Sequence, residues 1–229
     1  MALIKCENLS AGYDKHAVLQ GINFEVNIGD YLCVIGENGS GKSTLMRTLL
    51  SLQPPVGGQI TFGDRLMKNE LGYLPQRTEV QKDFPASVQE IVVSGFQGKH
   101  GFPFFYTKAE KETAVQNMER LNITNLKNRC FRELSGGQQQ RALLARALCA
   151  TDKIILLDEP VSGLDPNATE EMYNVIEQLN KEGVTIIMIS HDMEAAIRYA
   201  THILRVGTKV FFGTKDEYIA FRKEVPYAG

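Results

Sequence analysis

An α/β fold is what this sequence predicts: a parallel sheet with covering helices, a β-rich portion near the N-terminus, and a helical segment inserted in mid-chain. Three observations carry that expectation. Apolar, β-forming runs punctuated by glycine pairs fill the chain as far as Leu74. A glycine-rich turn, Gly36-Glu37-Asn38-Gly39-Ser40-Gly41-Lys42-Ser43-Thr44, separates a strand-like run from a helix-like one. Strand and helix patterns alternate again from Ile154 onwards, which implies parallel pairing.

In chain order, residues 3–6, 22–26, 31–35, 59–62 and 71–74 are strand candidates, with Gly57-Gly58 and Gly63-Asp64 as punctuation. Residues 45–50 read as a helix behind the glycine turn. Ser87-Val88-Gln89-Glu90 is a capping box opening a short helix that Gly95 is expected to end. Thr107-Lys108-Ala109-Glu110 is a second box, opening a helix with Ala114, Val115, Met118 and Leu121 on one face. The helical insert therefore covers 84–150. After it come strand 154–158, helix 170–181, strand 184–190 and helix 193–199, with a last helix expected over 215–224, where Tyr218, Ile219 and Phe221 pack.

The chain has 229 residues, with 25 Lys and Arg against 27 Asp and Glu and a formal net charge of -2. So balanced a charge gives no broad basic field, and nucleic acid is not an expected partner. Cys6, Cys33, Cys130 and Cys149 form no C-x-x-C pair. Cys33 and Cys149 sit in apolar stretches as small core residues, which fits a reducing, cytosolic setting better than a disulfide framework. No apolar run approaches the ~18 residues needed to span a bilayer, and the first residues show no signal-peptide pattern. Any membrane role is expected to run through a partner.

Residues 36–43 fit the pattern G-x-x-x-x-G-K-[ST]. Its glycines let backbone approach a phosphate chain, and the helix start behind it supplies free N–H groups and a positive dipole end. Lys42 is expected to reach the β- and γ-phosphates, and the Ser43 hydroxyl to ligate Mg²⁺. Ile154-Ile155-Leu156-Leu157-Asp158-Glu159 is an apolar strand ending in two acids. Ligands of open α/β sheets bind beyond the carboxyl ends of strands. Asp158 is therefore expected to assist Mg²⁺ through water, and Glu159 to polarise an attacking water as general base. Asp158-Glu159-Pro160 equally suits an ordinary strand exit and helix cap. Leu134-Ser135-Gly136-Gly137-Gln138 precedes a strong helix former, 139–150, with Leu143, Leu144, Ala147 and Leu148 near one face. This start is a second anion grip. One nucleotide rarely needs two grips from distant segments, so the second is expected to serve a nucleotide held by another copy of the chain.

The three segments, in this order and at this separation, resemble the ATPase subunit of an ABC transporter, and the likeness covers essentially the whole chain. It implies a P-loop, ABC-type ATPase core with an N-terminal antiparallel β portion and an inserted helical subdomain. Residues 1–229 form one such domain: an ATP-binding core over 1–83 and 151–229, and a helical subdomain over 84–150. It further implies Mg²⁺ and ATP, and a head-to-tail homodimer with two ATP sandwiched between the phosphate loop (Gly36, Asn38, Gly39, Ser40, Gly41, Lys42, Ser43, Thr44) and the partner's Ser135, Gly136, Gly137 and Gln138. By the same resemblance Tyr13 stacks on adenine, Gln76 touches Mg²⁺ and the attacking water, Asp165 crosses the dimer interface, and His191 contacts the γ-phosphate.

Val92-Val93-Ser94-Gly95-Phe96-Gln97-Gly98-Lys99-His100-Gly101-Phe102-Pro103-Phe104-Phe105 is rich in glycine and aromatics. With the Thr107-Lys108-Ala109-Glu110-Lys111-Glu112 that follows, it resembles the ATPases of bacterial importers for zinc, manganese or iron(II). That likeness implies polytopic permease subunits docked near the Gln76 loop. Indirectly it implies an extracytoplasmic substrate-binding protein, and for this chain a place on the cytoplasmic face of the cell membrane. An ATPase of iron–sulfur cluster assembly and an exporter ATPase are the alternatives. His16, His100, His191 and His202 show no ligand spacing, so a transported metal is not expected to be held by this chain.

Overall fold

The first strands form because buried and exposed side chains alternate along them. In β1 (Ala2–Tyr13), Leu3, Ile4, Cys6, Leu9 and Ala11 are buried; in β2 (His16–Asn27), Leu19, Ile22, Phe24 and Val26 are. β1 pairs antiparallel with β2 on one side and with β4 (Gly57–Phe62) on the other, in the order β2-β1-β4. Both strands of the β1–β2 hairpin run further than the expected 3–6 and 22–26. Register shifts between Cys6 and Leu9 break the alternation, and Asn8 there has φ 47. Its N–H donates to Asn23 Oδ1 at 2.8 Å, so an irregular stretch still pairs.

The structure, a computed structural model, describes residues 2–14, 16–63, 66–67, 70–76, 84–99 and 105–224. Asp64, His100 and the 101–104 stretch of the aromatic run lie outside them. The chain divides into two compact units, Met1–Lys68 with Thr185–Gly229, and Asn69–Val184.

In the first unit β3 (Tyr31–Ile35) is buried at every position and lies between β7 (Thr185–Ile189) and β8 (His202–Arg205), parallel to both. Each fully buried large apolar side chain contributes about 1.5–3 kcal/mol. β9 (Phe211–Thr214) pairs antiparallel with β8. Neither β8 nor β9 is among the expected strands: β8 is defined by its pairing with β3, and β9 by its pairing with β8. α1 (Lys42–Leu49) follows β3, and α6 (Met193–Tyr199) follows β7, capped by Asp192. α7 (Lys215–Glu224) is tied down by a fully buried Tyr218 and by Phe221, whose ring centroid lies 4.8 Å from that of Phe211.

In the second unit β5 (Leu71–Leu74) runs parallel to β6 (Ile154–Asp158). Both expected capping boxes form. Glu90 Oε2 accepts from the Ser87 N–H at 2.8 Å to open α2 (Val88–Val93). Glu110 Oε2 accepts from the Thr107 N–H at 2.7 Å to open α3 (Lys108–Arg120). Gly95 does not end α2. The helix is capped at Ser94 and continues as a 3₁₀ turn, Ser94–Lys99. A Cβ on Gly95 would collide with the Arg146 carbonyl oxygen of α4 (Gly136–Ala150), so the glycine serves a close backbone approach instead. α5 (Pro166–Lys181) starts before residue 170, because Asp165 caps it and Pro166 takes its first position.

Candidate functional site

β3 hands the chain directly to the glycine loop. Gly41, φ 92, is the N-cap of α1, a conformation only glycine adopts without strain, and a Cβ there would press into Leu19. No side chain caps α1 and its first turn holds no acid. The helix start thus presents backbone N–H groups and a positive dipole end, a setting that favours an external anion. Lys42 is buried, and its ammonium donates to the carbonyl oxygens of Gly36 and Glu37 at 2.8 Å each. A Cβ on Gly36 would meet the Val206 carbonyl oxygen and Ser40 Oγ. Ser40 Oγ is buried without a hydrogen-bond partner among the described residues. A polyphosphate fits this cradle, since it would supply the acceptor that buried hydroxyl lacks. Asn38, Gly39 and Ser43 are exposed and Thr44 is buried.

His191 and Ser190 join Gly36, Glu37 and Asn38 in lining one concavity of about 320 Å³, to which α7 contributes Arg222. Tyr13 ends β1 as a 47% exposed residue, and its hydroxyl accepts from Arg47 Nη1 at 3.1 Å. A flat, half-open ring held at its far end suits stacking against a base.

The second unit carries the other group. Gln76 Nε2 donates to Glu159 Oε2 at 2.9 Å, while the preceding Asp158 is buried at the end of β6. Glu159 has φ 50, a left-handed conformation that costs a non-glycine residue about 1–2 kcal/mol. The turn that enforces it is held by Gln140, whose Nε2 donates to the Pro160 carbonyl at 2.9 Å. Asp165 Oδ1 accepts from the Ala168 N–H at 3.0 Å. Ser135 is the N-cap of α4: its Oγ accepts from the Gln138 N–H at 3.4 Å, and Gln138 Oε1 accepts from the Ser135 N–H at 3.1 Å. Gly136 and Gly137 are the first helical residues, and a Cβ on Gly137 would lie 3.1 Å from Ala168 Cβ. Ser135, Gly137 and Gln138 line a concavity of about 210 Å³ with Asn122, Arg141 and Glu171.

The phosphate loop and His191 thus come together in the first unit, and Gln76 with Glu159 in the second. The oxygen donors expected for a cation, Ser43, Gln76 and Asp158, are hard ligands that suit Mg²⁺. Among the described residues no cluster of three or more His, Cys, Asp or Glu could hold a metal ion, and no helix is long and apolar enough to cross a membrane. Three neighbours of these residues were not singled out in the sequence: Arg47, Gln140 and Arg222. Only Gln140 left a trace there, as a polar residue at what becomes a fully buried helix position.

Comparison with known proteins bears on the same segments. The family model described as ABC transporter matches residues 19–162. The manganese transport system ATP-binding protein MntB of Bacillus subtilis (strain 168) is 34% identical over 231 residues, covering 99% of this chain and 92% of that protein. The zinc uptake system ATP-binding protein ZurA of Listeria innocua is 34% identical over 224 residues, covering 94% and 87%. Among solved structures, an ABC transporter of metal-chelate type in an inward-facing conformation aligns with a TM-score of 0.84 at 31% identity, covering 95% of this chain and 85% of that one.

Proposed function

Because this chain belongs to the ABC transporter family and is its ATP-hydrolysing subunit, we propose that it powers the import of a divalent metal ion, zinc, manganese or iron. In this reading a homodimer of the chain sits at the cytoplasmic face of the cell membrane on polytopic permease subunits, which receive the metal from an extracytoplasmic binding protein. The ATP-binding core is assigned to 1–83 and 151–229 and the helical subdomain to 84–150. The metal assignment is supported by the manganese and zinc uptake relatives, which match along nearly the whole chain.

One observation carries the phosphate chemistry: the Lys42 ammonium is drawn onto the Gly36 and Glu37 carbonyls beneath an uncapped helix start. From there each residue has a task. The loop N–H groups and Lys42 hold the β- and γ-phosphates, and Tyr13 stacks on adenine. Ser43, Asp158 and Gln76 would hold Mg²⁺, which when bound would neutralise charge developing on the transferring phosphoryl. Glu159 accepts a proton from the attacking water, which Gln76 orients, and His191 donates to the γ-phosphate. Ser135, Gly136, Gly137 and Gln138 of a second copy complete the cage with Asp165 at the interface. Release of phosphate removes the anion that joined the two copies, and they part.

The experiment is tagged purification from native membranes, followed by uptake into vesicles loaded with ATP. Recovery of a polytopic permease with ATP-dependent uptake of zinc or manganese supports the reading. Recovery of soluble iron–sulfur scaffold proteins with no membrane subunit sinks the transport claim, and ATP-driven extrusion turns it into export. Glu159→Gln is expected to trap an ATP-bound dimer. Hydrolysis by that variant at the parent rate removes Glu159 from the role of base.

A further inference from the structure

The C-terminal helix brings a cation to the phosphate cradle, and we propose that Arg222 binds the terminal phosphate of ATP and so helps the site distinguish ATP from ADP. The proposal rests on the ATP reading above and adds a residue to it. Arg222 lines the concavity shared by Gly36, Glu37, Asn38, Ser190 and His191. Lys42 shows which end of the cradle this is. Its ammonium bonds the Gly36 and Glu37 carbonyls, and a phosphate-loop lysine serves the β- and γ-phosphates. A group in this concavity therefore meets the far end of the triphosphate and not the base or ribose.

The helix that carries Arg222 is anchored on the side chain just before it. Phe221 packs its ring 4.8 Å from Phe211, and the Arg205 guanidinium lies 5.9 Å from the Phe221 centroid. One turn earlier Tyr218 is fully buried, and at the helix start Glu217 Oε2 accepts from the Thr214 N–H at 2.7 Å. The Arg222 stem thus leaves from a fixed backbone, and less freedom is lost when its head engages a ligand. Among the described residues Glu37 is the one acid in the lining, and Arg222 forms no ion pair. A guanidinium fork matches the oxygens of a terminal phosphate, which offers more of them than a bridging one. The competing account is a solvated cation that complements the dipole at the end of α7. Lys223 separates the two accounts: it sits in the same last turn with the same charge and does not line the concavity.

The test is calorimetric titration of the full chain with MgATP and with ADP, in the Glu159→Gln background so that ATP survives. Arg222→Ala is expected to weaken ATP about tenfold or more and ADP by less than about twofold, as loss of one charge-assisted contact to the last phosphate requires. Arg222→Lys should retain part of the ATP affinity, and Lys223→Ala should change neither nucleotide. Unchanged ATP affinity in Arg222→Ala, or equal weakening of ATP and ADP, overturns the proposal while leaving the ATP reading intact. A parent chain that binds no ATP overturns both. Thermal midpoints of the two Arg222 variants, matched to the parent, show that the loss is not one of folding.

Discussion

Two helices of this protein begin in glycine-containing motifs, and they begin in opposite ways. α1 starts on Gly41, which has no side chain to cap it, so no box closes over its first turn. α4 starts in a closed box, Ser135 and Gln138 each accepting from the other's N–H. The first start is therefore a preformed anion site within one chain. The second is occupied by its own side chains, through a Ser135 contact that at 3.4 Å is near the limit of a hydrogen bond. A phosphate oxygen arriving at α4 must share those donors, so this start becomes productive only when something delivers an anion to it. In the proposed dimer each chain would hold a nucleotide at its own α1, while α4 would serve the partner's.

The largest effect expected from breaking this contrast is at Lys42. Lys42→Ala should lower nucleotide affinity of the dilute chain by roughly a hundredfold, the scale of a lost buried charge-assisted contact, as read by calorimetry. Ser135→Ala should separate the two helix starts. Steady-state ATP hydrolysis should fall about tenfold, while affinity in the dilute chain stays within error of the parent. The lost cap should cost about 1 kcal/mol in a urea melt. If affinity in the dilute chain drops along with hydrolysis, α4 serves its own nucleotide and the contrast collapses. Glu159→Gly and Glu159→Ala should both abolish hydrolysis, yet the glycine variant should be more stable by about 1 kcal/mol, because φ 50 suits it. Equal melting midpoints would show that the turn is unstrained.

The smallest effect is a baseline away from both helix starts. The Arg120 guanidinium, bonded to Glu182, holds that carboxyl below its ordinary range. With the folded value depressed, the stabilisation is present above the usual carboxylate pKa and disappears as pH falls through the lowered one. Both side chains are about a third exposed, so the contribution is under ~1 kcal/mol after screening. Glu182→Gln should therefore melt slightly below the parent at pH 7, with the gap narrowing as pH falls through the carboxylate range. A gap that does not narrow would assign the loss to packing.

What the sequence disclosed depended on how local the cause was. The boxes at Ser87 and Thr107 are closed by residues three apart, and both form as written. So does the short apolar strand before the glycine loop, whose burial needs no partner to be inferred. Asp165-Pro166 also announced a helix start, a local signal that the expectation of residue 170 passed over. β8 and β9 depend on pairing with each other and with β3, which no window of four residues reveals. The role of Gly95 was legible only once the Arg146 carbonyl was in place above it. Around the candidate site the motif residues stood out by spacing, whereas Arg222 reaches the concavity from a helix far along the chain. The left-handed backbone of Glu159 had no signal at all, since Asp-Glu-Pro fits an unstrained strand exit equally well.

Gln140 has a further implication. Its amide grips the carbonyl of Pro160, the residue after Glu159, and it stands in the second turn of the helix that Ser135 begins. The turn that shapes the acid and the helix start of the Ser135 box are thus soldered to one rod. In the proposed head-to-tail pair each rod would have its acid at one nucleotide and its tip at the other. Timing would then be a property of the ring of two rods, and a chain unable to keep that single amide bond would fire its two sites out of step.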